Sequence, residues 1–354
     1  MSKCKYTSIG GQALIEGIMM RSPEKTAMAV RLPDGSIDVS DFNQTSLRSK
    51  YKILGIPIVR GIVGFVESMF QGYKAMMVSA DKSGFTDLEE ENDKKDGKEK
   101  SKFAKVVLSI AMVIGTVLGV ALAVVLFMLL PRLFVDGIEW LFKTSLEGHE
   151  ILRSFIEQFL KLLVFVIYMW IVSFMKDIKR VFMYHGAEHK TIFCYEKGLE
   201  LTVENVKKQS RFHPRCGTSF MILMILVSVV FSTIVQILVP QVYTIRWAWV
   251  VAKILLVPLV CGVGFEVLKF CGKYDNFITK IISAPGLWMQ RISTKEPEDG
   301  MIEIAIAALK ACEPKTPDVD RAIDKIIAEQ KAEEETTEET AEEPETKETE
   351  NDDI

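Results

Sequence analysis

The chain has 354 residues, a formal net charge of −4, 49% hydrophobic and 25% charged residues, and a mean hydropathy of +0.19. That hydropathy excludes an ordinary soluble domain of this charge content unless the apolar residues come in blocks, which they do. Charge is segregated too: residues 332–354 carry twelve acids and one lysine, net −11, leaving the rest at +7, which suits a folded body against anionic lipid headgroups with no nucleic-acid partner.

Six cysteines (Cys4, Cys194, Cys216, Cys261, Cys271 and Cys312) form no CxxC pair, so the expectation is reduced thiols on the cytoplasmic side rather than a disulfide framework. The first twenty residues hold no continuous apolar run, so insertion relies on an internal segment. Residues 1–80 read as an N-terminal peripheral region. Within it, residues 26–32 alternate like a strand, Pro33-Asp34-Gly35 signals a turn, and residues 36–39 return, predicting a hairpin. Residues 53–80 are mostly apolar, but Glu67, Gln71 and Lys74 recur at helical spacing. That pattern predicts an amphipathic helix in the membrane interface, or packed on the core, rather than a simple span.

Residues 81–102 form a charged linker without periodicity, expected to be disordered. Within residues 103–312, apolar blocks at 104–130, 159–175, 220–239 and 247–265 each have the makings of a transmembrane helix. Lysine and arginine concentrate in the 176–219 loop, which holds nine, while 131–158 is acid-rich. The positive-inside rule then puts both termini and that loop in the cytoplasm of a multi-pass protein of the inner, cytoplasmic membrane. Residues 301–310 read as a helix, 313–331 as a possible continuation, and the Glu- and Thr-rich tail as disordered. The fold class is therefore mainly α: a polytopic membrane protein with about four transmembrane helices, an N-terminal hairpin-containing region and an interfacial helix.

Chemistry concentrates in Tyr184-His185-Gly186-Ala187-Glu188-His189-Lys190. On a helix, His185 and His189 share a face one turn apart, and Glu188 projects close by. The H-x-x-E-H spacing is that of the inverted zincins, whose Glu is the general base toward the metal's water. Glu188 is the candidate catalytic residue, and the expected cofactor is a divalent metal, zinc first. Gly186 weakens the case for an unbroken helix. A catalytic zinc takes three protein ligands and leaves one position open. His213 and Cys216, in Arg211-Phe212-His213-Pro214-Arg215-Cys216-Gly217, and Glu266, just past the fourth block, are the candidates for the third. Glu266 is favoured, because inverted zincins take a downstream Glu. The plainer alternatives are a Glu266 that snorkels or pairs with Lys269, and a His213–Cys216 loop fixed only by Pro214 and Gly217. His149 reads as an ordinary outer-loop residue.

The run Gly10-Gly11-Gln12-Ala13-Leu14-Ile15-Glu16-Gly17-Ile18-Met19-Met20-Arg21 is the second unusual feature. Its glycines permit close backbone approach to a ligand. No Gly-Lys-Ser/Thr follows, so it is not a P-loop. A structural role, with an ion pair between Glu16 and Arg21, is the simpler expectation.

These two motifs, with 211–219 and the Phe265-Glu266 junction, resemble the YqhQ-like family of bacterial membrane proteins over roughly residues 8–295. The resemblance implies a domain of unknown function labelled a predicted metal-dependent enzyme, with His185, Glu188, His189, His213, Cys216 and Glu266 as its polar positions. It supplies no substrate. Two functions follow. One is a membrane-embedded metal-dependent hydrolase acting at the cytoplasmic boundary on a lipid-linked or membrane-protein substrate. The other is a non-enzymatic assembly or scaffold factor with a structural metal site or none. In either case the bilayer is a partner.

Overall fold

The computed structural model describes residues 7, 9–42, 51–84, 114–115, 117–143, 149–214, 216–274 and 276–313. Linker residues 85–102, the start of the first apolar block at 104–113, and the extension and acidic tail from 314 onward lie outside the described residues, as do Cys4 and Arg215.

A four-stranded antiparallel sheet, in sequential order, opens the chain: β1 (Gly10–Leu14), β2 (Gly17–Arg21), β3 (Thr26–Arg31) and β4 (Ile37–Asp41). The expected hairpin is β3–β4, turned by Gly35 at φ +87°, a conformation glycine adopts without a Cβ penalty. The Gly-rich run at 10–21 is a second hairpin, with Leu14 opposite Gly17. Glu16 sits in its turn at φ +50°, so no glycine announces that turn in the sequence.

Helix α1 (Val59–Lys82) straps the sheet to the rest. Its C-terminal half buries Ala75 beneath Leu14, Met19, Met28 and Val30. Its N-terminal half lies on the apolar helices, with the Phe65 and Phe220 rings 5.7 Å apart. Val66, Met69, Phe70 and Tyr73 are exposed, whereas Gln71, expected to share a polar face with Glu67 and Lys74, is buried and accepts from Arg21. The opposite face of the sheet is covered by two helices, α4 (Lys176–Glu196) and α8 (Asp299–Cys312). Ile302, Ile304, Ala305 and Leu309 of α8 are fully buried with Ile18, Met20, Ala27 and Ala29, forming the main apolar core.

Among the described residues, four helices are long and apolar enough to cross a membrane: Val117–Phe142 (α2), Leu152–Val172 within α3 (Glu150–Val172), α5 (Gly217–Leu238), and Trp247–Cys271 within α6 (Arg246–Lys273). The first extends past its expected end at residue 130. It runs on through Pro131, Arg132, Asp136 and Glu139, and α3 begins at Glu150, so the segment expected as an acid-rich outer loop is mostly helix. The two acids of α2 are matched from α3: Arg153 pairs with Asp136 and with Glu139 at 3.1 Å, and also with Glu157 of its own helix at 3.8 Å. The expected 176–219 loop likewise contains the whole of α4. Gly186 does not break that helix. A Cβ there would collide with the Lys295 carbonyl, so the glycine admits a neighbouring backbone.

Helix α7 (Phe277–Ser293), opened by an Asn276–Thr279 capping box, crosses the start of α5. Gly286 lies on Ser219, and Met289 joins Phe165 and Ile222 in a small core.

Candidate metal centre

Three segments converge where α3, α5 and α6 end nearest the sheet. Helix α4 brings His185, Glu188 and His189. Cys216 is the N-cap of α5, its sulfur accepting from the Thr218 amide at 3.4 Å. The end of α7 supplies backbone. The ligand atoms of His185, His189 and Cys216 all lie within 4.8 Å of one another. The two imidazole centroids are 4.4 Å apart, as one helical turn dictates.

The imidazoles are oriented from behind. His185 Nδ1 lies 2.9 Å from the Ser293 carbonyl oxygen, and His189 Nδ1 lies 2.5 Å from that of Arg211. A carbonyl only accepts, so each Nδ1 carries a proton and each Nε2 is the ring nitrogen left to face the cluster. His185 Nε2 faces Cys216 Sγ at 3.1 Å. Burial alone would push the Cys216 thiol up, but His185 and His189 outweigh it and hold the thiol well below its ordinary value. Burial would likewise lower His185, yet the adjacent Cys216 sulfur, with Glu188 and the Ser293 carbonyl, lifts it to about 9. In the absence of a cation the pair is a thiolate beside an imidazolium.

Glu188 is buried between α4 and β1. Its carboxylate accepts from the Gly11 amide, and burial raises it against the pull of His185 and His189. A Cβ on Gly11 would stand 2.9 Å from the Glu188 carboxyl carbon. The glycine of the N-terminal run is thus required by contact with the site. The β1–β2 turn is pinned to the same helix: Arg180 makes two bonds to Glu16 at 2.5 and 2.6 Å, and the Tyr184 hydroxyl donates a third at 3.0 Å. The ion pair expected between Glu16 and Arg21 is not formed; Arg21 donates to Gln71.

The remaining candidates fall elsewhere. His213 stacks beside His189 at 5.6 Å between centroids, but its Nε2 is directed at the buried Glu196, 3.5 Å away. Glu266 does not reach the cluster. Arg60 of α1 grips its carboxylate through Nε at 2.7 Å and an Nη at 2.5 Å. The favoured third ligand is therefore an anchor for α1, and Cys216 occupies the position foreseen for it. Gln290, fully buried, was not foreseen. Its side chain accepts from His213 N and donates to His213 O, both at 2.7 Å, and donates to Ser219 at 2.9 Å, fixing the loop that delivers Arg211 and Cys216. Its only sequence signal is a polar residue on an apolar helix.

The cluster opens into a cavity of about 440 Å³, walled by Ile9 and the β1 residues Gly10 to Ala13, by Val181 and Phe182, and by Met221 of α5.

Comparison with known proteins gives the following. The family described as "Protein of unknown function (DUF1385)" matches residues 56–315. The chain is 38% identical over 308 residues to "Uncharacterized protein YqhQ" of Bacillus subtilis (strain 168), covering 86% of this chain and 92% of that protein. No solved structure matches. Neither description names a metal or an activity, so the metal-dependent label that came with the resemblance rests on the residues alone.

Proposed function

The chain belongs to the DUF1385 family, and we propose that it is a membrane-embedded, metal-dependent hydrolase whose ion is held by His185, His189 and Cys216. The observation that carries this reading is the pair of carbonyl-fixed imidazoles. Each donates Nδ1–H backward; His185 Nε2 faces Cys216 Sγ, and a ring nitrogen of His189 lies within 4.8 Å of the same sulfur, the outer-shell arrangement that prepares histidines for a metal. Two imidazoles and a thiolate suit zinc, a borderline-soft cation. Three protein ligands leave one position toward the cavity. A bound ion would supply Lewis acidity to a water or a carbonyl there, and Glu188 is placed to take the water's proton. Helices α2, α3, α5 and α6 embed the protein in the bilayer, and the lysines and arginines of 176–219 assign the site to the cytoplasmic boundary.

Purified protein is expected to hold one zinc per chain, lost in the double variant His185→Ala/His189→Ala. Glu188→Gln keeps the zinc and lowers turnover by about 10²–10⁴-fold. Protein without stoichiometric zinc, or turnover that survives chelation and fails only in Cys216→Ser, overturns the metal assignment. A non-enzymatic role is favoured by one feature: Glu188 bonds the Gly11 amide and so also braces α4 against β1. Full complementation of a deletion strain by Glu188→Gln would decide for it.

A further inference from the structure

The Gly-rich run at 10–21 has so far served as a scaffold, yet it forms the wall of the cavity. Successive side chains of a strand point to opposite faces. A surface in contact with one face would therefore meet every second residue. The cavity is lined by Ile9, Gly10, Gly11, Gln12 and Ala13 without a gap, so what borders it is the strand's edge. β1 is the outermost strand, paired with β2 alone. Gly10 and Gly11 are exposed, whereas β2 and β3 are almost wholly buried. Among the described residues, β1 makes no backbone–backbone bond beyond its ladder to β2. The Gly11 amide turns away from that ladder to Glu188, and by antiparallel alternation the Ala13 amide points the same way.

From this juxtaposition of a strand edge with the His185–His189–Cys216 cluster we infer that the substrate is an extended polypeptide, which adds beside β1 as a fifth strand and is cut at the cluster. The inference rests on the hydrolase reading and names its substrate class. With the Gly11 amide held by Glu188, the Ala13 amide and the outward carbonyls of Gly11 and Ala13 are complementary to another backbone, and two residues without side chains let it come close. A lipid headgroup offers no such repeating partner. The reaction balances as peptide hydrolysis. The oxygen of water bonds to the carbonyl carbon, and the C–N bond breaks. Glu188 takes one water proton and passes it to the leaving nitrogen, giving a carboxylic acid and an amine; the second water proton then passes from the acid to the amine, leaving a carboxylate and an ammonium.

Binding and cleavage are tested apart, on full-length protein in nanodiscs. The probe is a fluorescein-labelled pool of unstructured decapeptides. Zinc-loaded Glu188→Gln protein is expected to bind the pool. Adding Ala13→Pro, which removes an outward amide that an edge strand does not need for its own ladder, weakens binding at least about tenfold, with zinc content unchanged. Should Ala13→Pro not fold, Gly10→Ile covers the same edge, because a Cβ there meets nothing within 4 Å. No binding, or binding indifferent to both variants, overturns the inference. Hydrolysis of phosphatidylglycerol vesicles without peptide binding also overturns it while leaving the hydrolase reading intact. Edge-dependent binding with no cleavage by the zinc-loaded wild type upholds the docking edge and sinks the hydrolase reading instead.

Discussion

Helix α3 has a polar cluster at either end. Near its start, Arg153 faces Asp136 and Glu139 of α2 and Glu157 one turn along, and Glu157 also meets Lys253 of α6 at 3.7 Å. Past its far end, α4 carries two imidazoles and a carboxylate to a buried thiol. Both clusters bring charge into an apolar bundle, at a cost that each must offset. At the Arg153 end, cation and carboxylates are matched within the chain, and the network joins α2, α3 and α6. At the His185 end the two imidazole Nδ1 protons are matched by carbonyls, while the atoms facing inward are all electron-pair donors around a small space. The first arrangement is closed; the second has room for the cation proposed above. Ionisable residues near membrane spans invite functional readings, and the direction in which partners point separates these two.

The strongest way to break the comparison is Arg153→Leu. It leaves Asp136 and Glu139 without their cation while Glu157 keeps Lys253, and stranding such half-buried charged groups costs about 1–3 kcal/mol. Denaturation in detergent micelles is expected to show that loss with zinc content unchanged. If zinc falls together with stability, the two ends are coupled and the contrast fails.

The same comparison marks what could be read in the sequence. The apolar blocks were legible because length and hydropathy are local properties. The end of the first was set too early because Arg132, Asp136 and Glu139 look like a loop until Arg153 is known to neutralise the two acids. The β3–β4 hairpin was legible from Pro33-Asp34-Gly35, whereas β1–β2 was hidden by a turn that puts Glu16, not glycine, at positive φ. His185, Glu188 and His189 were legible because helical spacing fixes their neighbourhood. The third partner was not, because it depends on distant pairings. Arg60 takes Glu266 from 206 positions away, and Cys216 is presented by a loop that Gln290 fixes from 77 positions away.

A pH titration sharpens the contrast by a smaller amount. Below about 9 the folded, metal-free pair of Cys216 and His185 holds one proton on the imidazole. Zinc needs that lone pair and must expel the proton. Zinc affinity is therefore expected to rise about tenfold per pH unit toward 9 and level off above it. Affinity that is flat with pH would mean that His185 is neutral and that the site carries no thiolate–imidazolium pair.

The smallest effect is expected at Glu266, the residue that sequence spacing favoured as a ligand. Its carboxylate and the Arg60 guanidinium are 26% and 28% exposed, so their attraction is partly screened. Glu266→Gln should cost less than about 1 kcal/mol. The variant keeps one of the two hydrogen bonds to Arg60, so α1 stays docked on α6 and the sheet stays over the site. Zinc stoichiometry and affinity are expected to equal those of the wild type. Were Glu266 a ligand, zinc would be lost with almost no change in stability, the reverse of the pattern expected for Arg153→Leu. The two variants measured side by side therefore separate residues that hold the bundle together from residues that hold an ion.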